Sequence, residues 1–188
     1  MTVVAPEAVP FERILGPEIG QMLRQAHEEM GVAFQLGTGV ERFEGADAVQ
    51  GVVLKSGIKI DSDLVLIGVG VTPNTGYLKD VRRETDGSVQ TDPYFRVAED
   101  VYAAGDIARV PGWRSGEHVR IEHWRTAQQQ GRDAALNMAG RPTANTSVPF
   151  FWTKQANMSL RYVGHTRGWD EVLFDGDVAS KSFVAFYI

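Results

Sequence analysis

Val101-Tyr102-Ala103-Ala104-Gly105-Asp106 is the stretch on which the fold turns, with Thr91-Asp92-Pro93-Tyr94-Phe95-Arg96 just ahead of it. An apolar run, two small residues, a glycine and one carboxylate describe a buried strand that ends at a ligand. Ala103 and Ala104 leave room for close packing, and Gly105 removes the side chain where backbone approaches something. Asp106 then stands at the carboxyl end of the strand, where open α/β sheets place their ligands. Ile107-Ala108-Arg109 suit the first turn of a helix, whose free N–H groups favour an anion. A carboxylate beside a helix start receives a molecule carrying both hydroxyls and phosphate. The same residues equally describe a strand followed by an aspartate N-cap.

Outward from this stretch, the chain reads as alternating strands and helices. Met1 to Ala5 is β-branched and reads as a strand. Gly16-Pro17 precedes a helix whose apolar stripe is Ile19, Met22, Leu23, Ala26 and Met30. Gly31 is placed as its C-cap, and Val32 to Leu36 is the next strand. Strand–helix–strand is the unit that builds parallel sheets. Val49 to Leu54 and Ile58 to Ile60 alternate around Lys55-Ser56-Gly57 as a β-hairpin or meander. Asp63 to Gly70 is a continuous apolar run, the pattern of a strand buried on both faces. Asp86-Gly87-Ser88 is a turn, and Pro111 to Glu117, with Trp113 in it, is a breaker-rich loop. A helix is expected from about Arg125 to Met138, with Ala127, Ala134, Ala135 and Met138 on or near one face. Ala144 to Ser147 reads as a polar linker. Phe150-Phe151-Trp152, Ser159 to Gly164, Glu171 to Phe174 and Phe183 to Ile188 follow as strands.

Composition narrows the function classes. The 188 residues are 43% hydrophobic and 23% charged, enough to bury an ordinary globular core. The net charge is −5 with no basic block, so sequence-independent nucleic-acid binding has no footprint. Cysteine is absent, which excludes a disulfide, a thiolate metal site or a dithiol redox centre in these residues. His27 and His165 stand alone, and four histidines without paired spacing give no metal site. No signal or membrane-spanning run is present in the sequence, and a cytoplasmic protein with no membrane partner is the expectation.

Five stretches, in order, resemble the FAD-dependent pyridine nucleotide-disulfide oxidoreductases. They are Pro10 to Glu18, Gly68-Val69-Gly70-Val71-Thr72-Pro73-Asn74-Thr75, Tyr102-Ala103-Ala104-Gly105-Asp106, Glu122-His123-Trp124 and Phe150-Phe151-Trp152. Within that superfamily the chain is most similar to the branch of ferredoxin/rubredoxin reductases and apoptosis-inducing-factor-like proteins. The resemblance implies an α/β fold: partial Rossmann-like FAD- and NAD(P)-binding domains, then part of an α+β interface domain. The implied boundaries are 1–75 for the nicotinamide part, 76–142 for the closing flavin segment and 148–188 for the interface domain.

The resemblance also implies roles. Asp106 would hold the ribityl hydroxyls of FAD, with Gly105 and Ile107 beside it. Gly70 would pass close to the nicotinamide cofactor. Glu122, His123 and Trp124 would lie beside the isoalloxazine ring, and Trp152 at the flavin edge that faces the electron acceptor. Where the family has an acidic residue ending its strand, this chain has Ala5, and Glu7 is the substitute candidate for the adenosine ribose. Lys154 stands where the family often has an acid. Cofactors would be FAD and NAD(P)H, and partners a nicotinamide nucleotide and an iron–sulfur protein, with a homodimer compatible. The flavin carries the chemistry, so no acid/base pair and no metal is nominated. A flavin-bearing regulator or scaffold is the alternative.

No Gly-x-Gly-x-x-Gly occurs in the 188 residues, although such a motif opens a dinucleotide domain. The expectation is therefore a C-terminal fragment, with two such motifs before residue 1 and further interface domain after Ile188. Alone it should be inactive, lack stoichiometric FAD and self-associate through unpaired strand edges.

Overall fold

Thr2–Ala5 pairs in parallel with Ala33–Leu36, Thr2 opposite Ala33 and Ala5 opposite Leu36. Parallel neighbours need a crossover, and helix α1, Glu12–Glu28, supplies it. Gly16, at φ 82° and ψ 171°, breaks α1 after its first turn, and Pro17 starts the main run. There the missing N–H costs nothing and the ring presets φ. Ile19, Leu23 and Ala26 are buried along one face, as their spacing predicts. Met30 does not extend the stripe, because it lies past the helix end and is exposed. Gly31 turns left-handed at φ 84° and Val32 N–H bonds back to the His27 carbonyl.

Of the expected hairpin or meander, the structure forms a three-stranded meander. Val40–Glu44 pairs with Gly51–Leu54, which pairs with Lys59–Asp61, all antiparallel. Val52, Val53 and Leu54 are buried, and Gly57 closes the turn at φ 85°. Near the end of the chain Val172–Asp177 and Ser182–Tyr187 form an antiparallel hairpin, Leu173 opposite Phe186. Tyr187 donates its hydroxyl to the Leu15 carbonyl at 2.9 Å and meets Trp169 edge-on. Phe150–Gln155 and Met158–Val163 pair around Ala156 and Asn157, both left-handed.

The computed structural model describes residues 1–112, 114–165 and 168–188. Trp113 lies outside the described residues. The chain divides into two compact units. One comprises Met1–Gly68, Lys154–Ser159 and the described part of Thr166–Ile188; the other comprises Val69–Thr153 and Leu160–His165.

The second unit carries the Gly–Asp stretch. Val89–Gln90 runs parallel to Ala108–Pro111, whose other edge pairs antiparallel with His118–Val119. Arg96–Ala98 pairs antiparallel with Val101–Tyr102. Val89, Phe95, Ala103, Ala108, Val110 and Ala134 form the core. Asp92 shapes the approach to it, its Oδ1 accepting the N–H groups of Tyr94 and Arg96. Helix α2, Trp124–Met138, packs on this core through Ala134.

Several expectations are corrected. Asp63 to Gly70 is not a strand, and Leu64, Leu66 and Val69 are 82%, 96% and 89% exposed. A strand needs a neighbour to take its N–H and C=O groups, and among the described residues none runs beside this segment. Val101–Tyr102 is a short, half-buried antiparallel strand, so Asp106 does not end a strand of a parallel sheet. Ile107-Ala108-Arg109 does not begin a helix. A 3₁₀ turn, Gly105–Ile107, leads into the strand Ala108–Pro111, because Ala108 and Val110 are buried and their backbone pairs on both edges. Ala144 to Ser147 is tied down, with Asn145 buried and bonded to the carbonyls of Pro93 and Pro111. On α2 the alanine face narrows to Ala127 and Ala134, while Ala135 and Met138 are exposed. No helix among the described residues is long and apolar enough to cross a membrane.

The turn at Asp86 is held by charge. Its Oδ1 accepts the backbone N–H and the hydroxyl of Ser88, and Arg109 Nη2 reaches Oδ2 at 2.7 Å. Ser88 is fully buried and its hydroxyl accepts from Arg109 Nε at 2.8 Å. The Ser88 hydroxyl first, then the Arg109 guanidinium, hold the Asp86 carboxyl well below the usual carboxylate range. A lowered carboxyl contributes stability that is complete above its unfolded value, about pH 4, and is lost as pH falls toward the folded value.

Two outcomes follow. Leu54, fully buried, and Leu66, almost wholly exposed, give opposite results on truncation. Leu54→Ala costs about 2–5 kcal/mol in urea denaturation, whereas Leu66→Ala stays within about 0.5 kcal/mol. An equal cost at both sites rejects the exposed state of the 63–70 run. Asp86→Asn flattens the fall in melting temperature between about pH 5 and pH 2, with Glu44, lowered by Lys59 and Arg42, leaving a residual slope. Superimposable pH profiles for parent and variant contradict the role given to Asp86.

Candidate functional site

The Gly105–Ile107 turn is built where backbone must come close to a helix. Gly105 is buried and left-handed at φ 77°, and a Cβ placed on it would sit 3.3 Å from the Ala127 Cβ of α2. Glycine is the residue that occupies such a position without strain. The Gly105 N–H donates to Gln130 Oε1 at 2.8 Å, and Gln130 is itself buried. On the other side of the turn, Arg120 Nη1 donates to the Asp106 carbonyl at 3.1 Å. The main chain is thus fixed at both ends. Asp106 is exposed, and among the described residues its carboxylate makes no hydrogen bond or ion pair. Ile107, half-buried, packs against the core.

Arg120 joins this turn to the next candidate. Its Nη1 pairs with Glu122 Oε1 at 2.6 Å, and its Nε lies 3.2 Å from Asp86 Oδ2. One residue beyond Glu122, His123 caps α2 by accepting the Arg125 N–H at Nδ1, 3.3 Å away. An imidazole with an accepting nitrogen is a competent N-cap.

Around that helix start the aromatic side chains gather. The His123 ring centroid lies 5.9 Å from Trp124 and 6.2 Å from both Phe151 and Trp152. Trp124 and Trp152 meet edge-to-face at 6.0 Å, and Phe150 stacks on Trp152 at 5.8 Å. The Arg125 guanidinium sits 5.0 Å over the Phe150 ring. Aromatic groups normally bury their area, yet Trp124 is 64% and Trp152 44% exposed. The cluster is a platform with open faces.

The nominated residues therefore separate into groups. Gly105, Asp106, Ile107 and Glu122 are tied together through Arg120, and His123, Trp124 and Trp152 form the adjoining aromatic group. Gly70 is left-handed at φ 92° with open space about it. Glu7 belongs to the other unit, where its Oε1 pairs with Arg13 Nη2 at 3.0 Å. Among the described residues no group of three or more His, Asp or Glu is placed to hold a metal ion. Arg120, Gln130 and Asp86 were not singled out by sequence reasoning. Asp86 reads there only as part of a turn, and Gln130 is one of three successive glutamines.

The chain is similar to known proteins. The family model described as pyridine nucleotide-disulphide oxidoreductase matches residues 1–131. Apoptosis-inducing factor 3 of Homo sapiens is 35% identical over the whole chain, which covers 32% of that protein. The ferredoxin reductase for the CYP199A2 system of Rhodopseudomonas palustris superposes with a TM-score of 0.89 at 30% identity. That match takes in all of this chain and 47% of the reductase. The putidaredoxin reductase–putidaredoxin covalent complex gives a TM-score of 0.89 at 27% identity, again over the whole chain and 46% of its counterpart. The chain thus spans from about a third to under half the length of these relatives. With the model running from the first strand through the Gly105–Asp106 turn and into α2, the chain belongs to the pyridine nucleotide-disulphide oxidoreductase family.

Proposed function

We propose that this chain is part of an FAD-dependent oxidoreductase that passes electrons from NAD(P)H through flavin to an iron–sulfur protein. The observation that carries the proposal is the unpaired Asp106 carboxylate on a turn whose backbone is clamped against α2. Two solved relatives support it, one a ferredoxin reductase and the other a complex of a reductase with putidaredoxin. We propose a cytoplasmic location, where reduced nicotinamide is available to such an electron transfer.

The residues present fit a flavin. Gly105 leaves a surface without a Cβ, and Asp106 offers two free acceptor oxygens for ribityl hydroxyls. Ile107 supplies an apolar contact beside them. Glu122, with His123 and Trp124, would flank the ring system, and Trp152 would face the acceptor. Bound FAD supplies the hydride and single-electron chemistry, which no side chain of this protein can. The protein's own residues orient: Asp106 holds hydroxyls, the α2 start presents its rings, and the exposed tryptophan edges give the acceptor a surface to meet. In the other unit Glu7 and Arg13 form a pair after the first strand, where an acid reads a ribose diol and an arginine a 2′-phosphate. Gly70, in the second unit, would let backbone approach the nicotinamide nucleotide.

A second proposal has its own support, the 35% identity with apoptosis-inducing factor 3 along the entire chain. In it the flavin state governs binding to a partner. Steady-state NADH oxidation with an artificial acceptor separates turnover from regulation.

Asp106→Ala raises the dissociation constant for FAD by about tenfold, the worth of one to two hydrogen bonds left unmade. Flavin fluorescence quenching on the intact flavoprotein measures it, and equal constants for parent and variant reject the assignment. At the Glu7–Arg13 pair, either cofactor can take one partner from the other. Glu7→Ala accordingly shifts relative affinity toward NADPH and Arg13→Ala toward NADH, each by roughly fivefold to tenfold. Titration with both nucleotides shows this, and an unchanged ratio in both variants removes the pair from the site.

A further inference from the structure

We infer that Asp86 is a positioning residue: through Arg120 it fixes the main chain of Asp106 and the carboxylate of Glu122, coupling the two edges of the flavin site. The inference rests on the flavin proposal above. Its basis is one guanidinium with three acidic or carbonyl partners. Arg120 lies 3.2 Å from Asp86 Oδ2 through Nε, 3.1 Å from the Asp106 carbonyl and 2.6 Å from Glu122 Oε1 through Nη1. Only 16% of its side chain is exposed, so water offers little substitute for a lost partner.

The chemistry selects this arrangement over a simple surface ion pair. Arginine presents its donors in a rigid planar fork, and fixing Nε fixes the direction of Nη1. Asp86 is in turn immobile. Ser88 holds its Oδ1 through backbone and hydroxyl, and Arg109 shares its Oδ2. Two carboxylates and two guanidiniums balance in charge, so none is left uncompensated. The Asp106 carboxylate stays outside the network and free for a ligand. Held backbone and free side chain are what preorganised binding requires.

Arg109 supplies the control, because it touches Asp86 and Ser88 but not Asp106 or Glu122. The ¹⁵N–¹H spectrum of the ligand-free chain is compared for parent, Asp86→Asn, Arg120→Lys and Arg109→Lys. Asp86→Asn and Arg120→Lys both shift the amide signals of Ile107, whose peptide carbonyl Arg120 holds, and of Glu122. They also speed hydrogen exchange of the Gly105 amide by about tenfold. Arg109→Lys leaves Ile107 and Glu122 in place. Changes confined to residues 86–88 and 109 in the Asp86 variant overturn the inference. So does an Arg109→Lys spectrum that moves Ile107 as far as Arg120→Lys does, since that is general loosening. FAD titration of the same substitutions in the intact flavoprotein of which this chain is proposed to be part adds the functional half. A tenfold weaker Kd in Asp86→Asn supports the coupling, and an unchanged Kd beside a displaced turn overturns it. A parent that binds no FAD within the intact flavoprotein refutes the flavin proposal, while the spectra still decide whether Asp86 positions the turn.

Discussion

Gly105 at φ 77°, within van der Waals reach of Ala127, is the constraint on which the candidate site depends. A larger residue at either position would push α2 off the turn, and the left-handed backbone would be strained for any side chain. Because both are small, Gln130 can reach the Gly105 N–H with its side-chain carbonyl. A buried backbone donor that secondary structure leaves over is thereby satisfied. The same approach sets the start of α2 near the turn, and with it His123 and Trp124. Two small residues therefore fix the spacing between a carboxylate and an aromatic platform.

The charge cluster around Asp86 works by geometry more than by net energy. Half-buried ions lose hydration when they pair, and that loss offsets much of their attraction. What remains is direction: Ser88 orients Asp86, Asp86 orients Arg120, and Arg120 orients Asp106 and Glu122. Removing one member costs more than the pair contributes, because the survivor is left charged and partly dry. Such a chain of orientations joins Val89–Gln90, Ala108–Pro111 and the segment before α2 without relying on the short strands alone.

What was legible in the sequence was what local physics determines. Gly16-Pro17, the Ile19–Leu23–Ala26 spacing and Gly31 specify α1 and its limits through backbone freedom and periodicity. The meander was visible through alternation around Gly57. The fate of Asp63 to Gly70 was not, because apolar composition states what a segment would bury and not whether a neighbour exists to bury it. Ile107-Ala108-Arg109 suits a helix start locally, but pairing of Ala108–Pro111 with Val89–Gln90 and His118–Val119 overrides that preference. In the site, Gly105 and Asp106 stood out through the resemblance of Tyr102 to Asp106 to a flavin motif, since by chemistry alone they equally describe an aspartate N-cap. Arg120, Asp86 and Gln130 are ordinary residues in ordinary patterns. Their importance comes from bonds to positions far along the chain, which spacing does not record.

Asp86 and Asp106 show how one residue type is given two uses. Both sit at turns and both lie within the same unit. Asp86 has its oxygens saturated by Ser88, Arg109 and Arg120, so its carboxyl has nothing left to offer a ligand. Asp106 contributes only its main-chain carbonyl to the protein, and its carboxylate faces solvent unengaged. A site needs both kinds. An acceptor that binds must be unsatisfied in the free protein, and an unsatisfied group stays in place only if its backbone is held by something else. The saturated aspartate supplies that hold through Arg120, while the Asp106 carboxylate stays outside the network. The division of labour follows from burial and partners, not from the aspartates themselves.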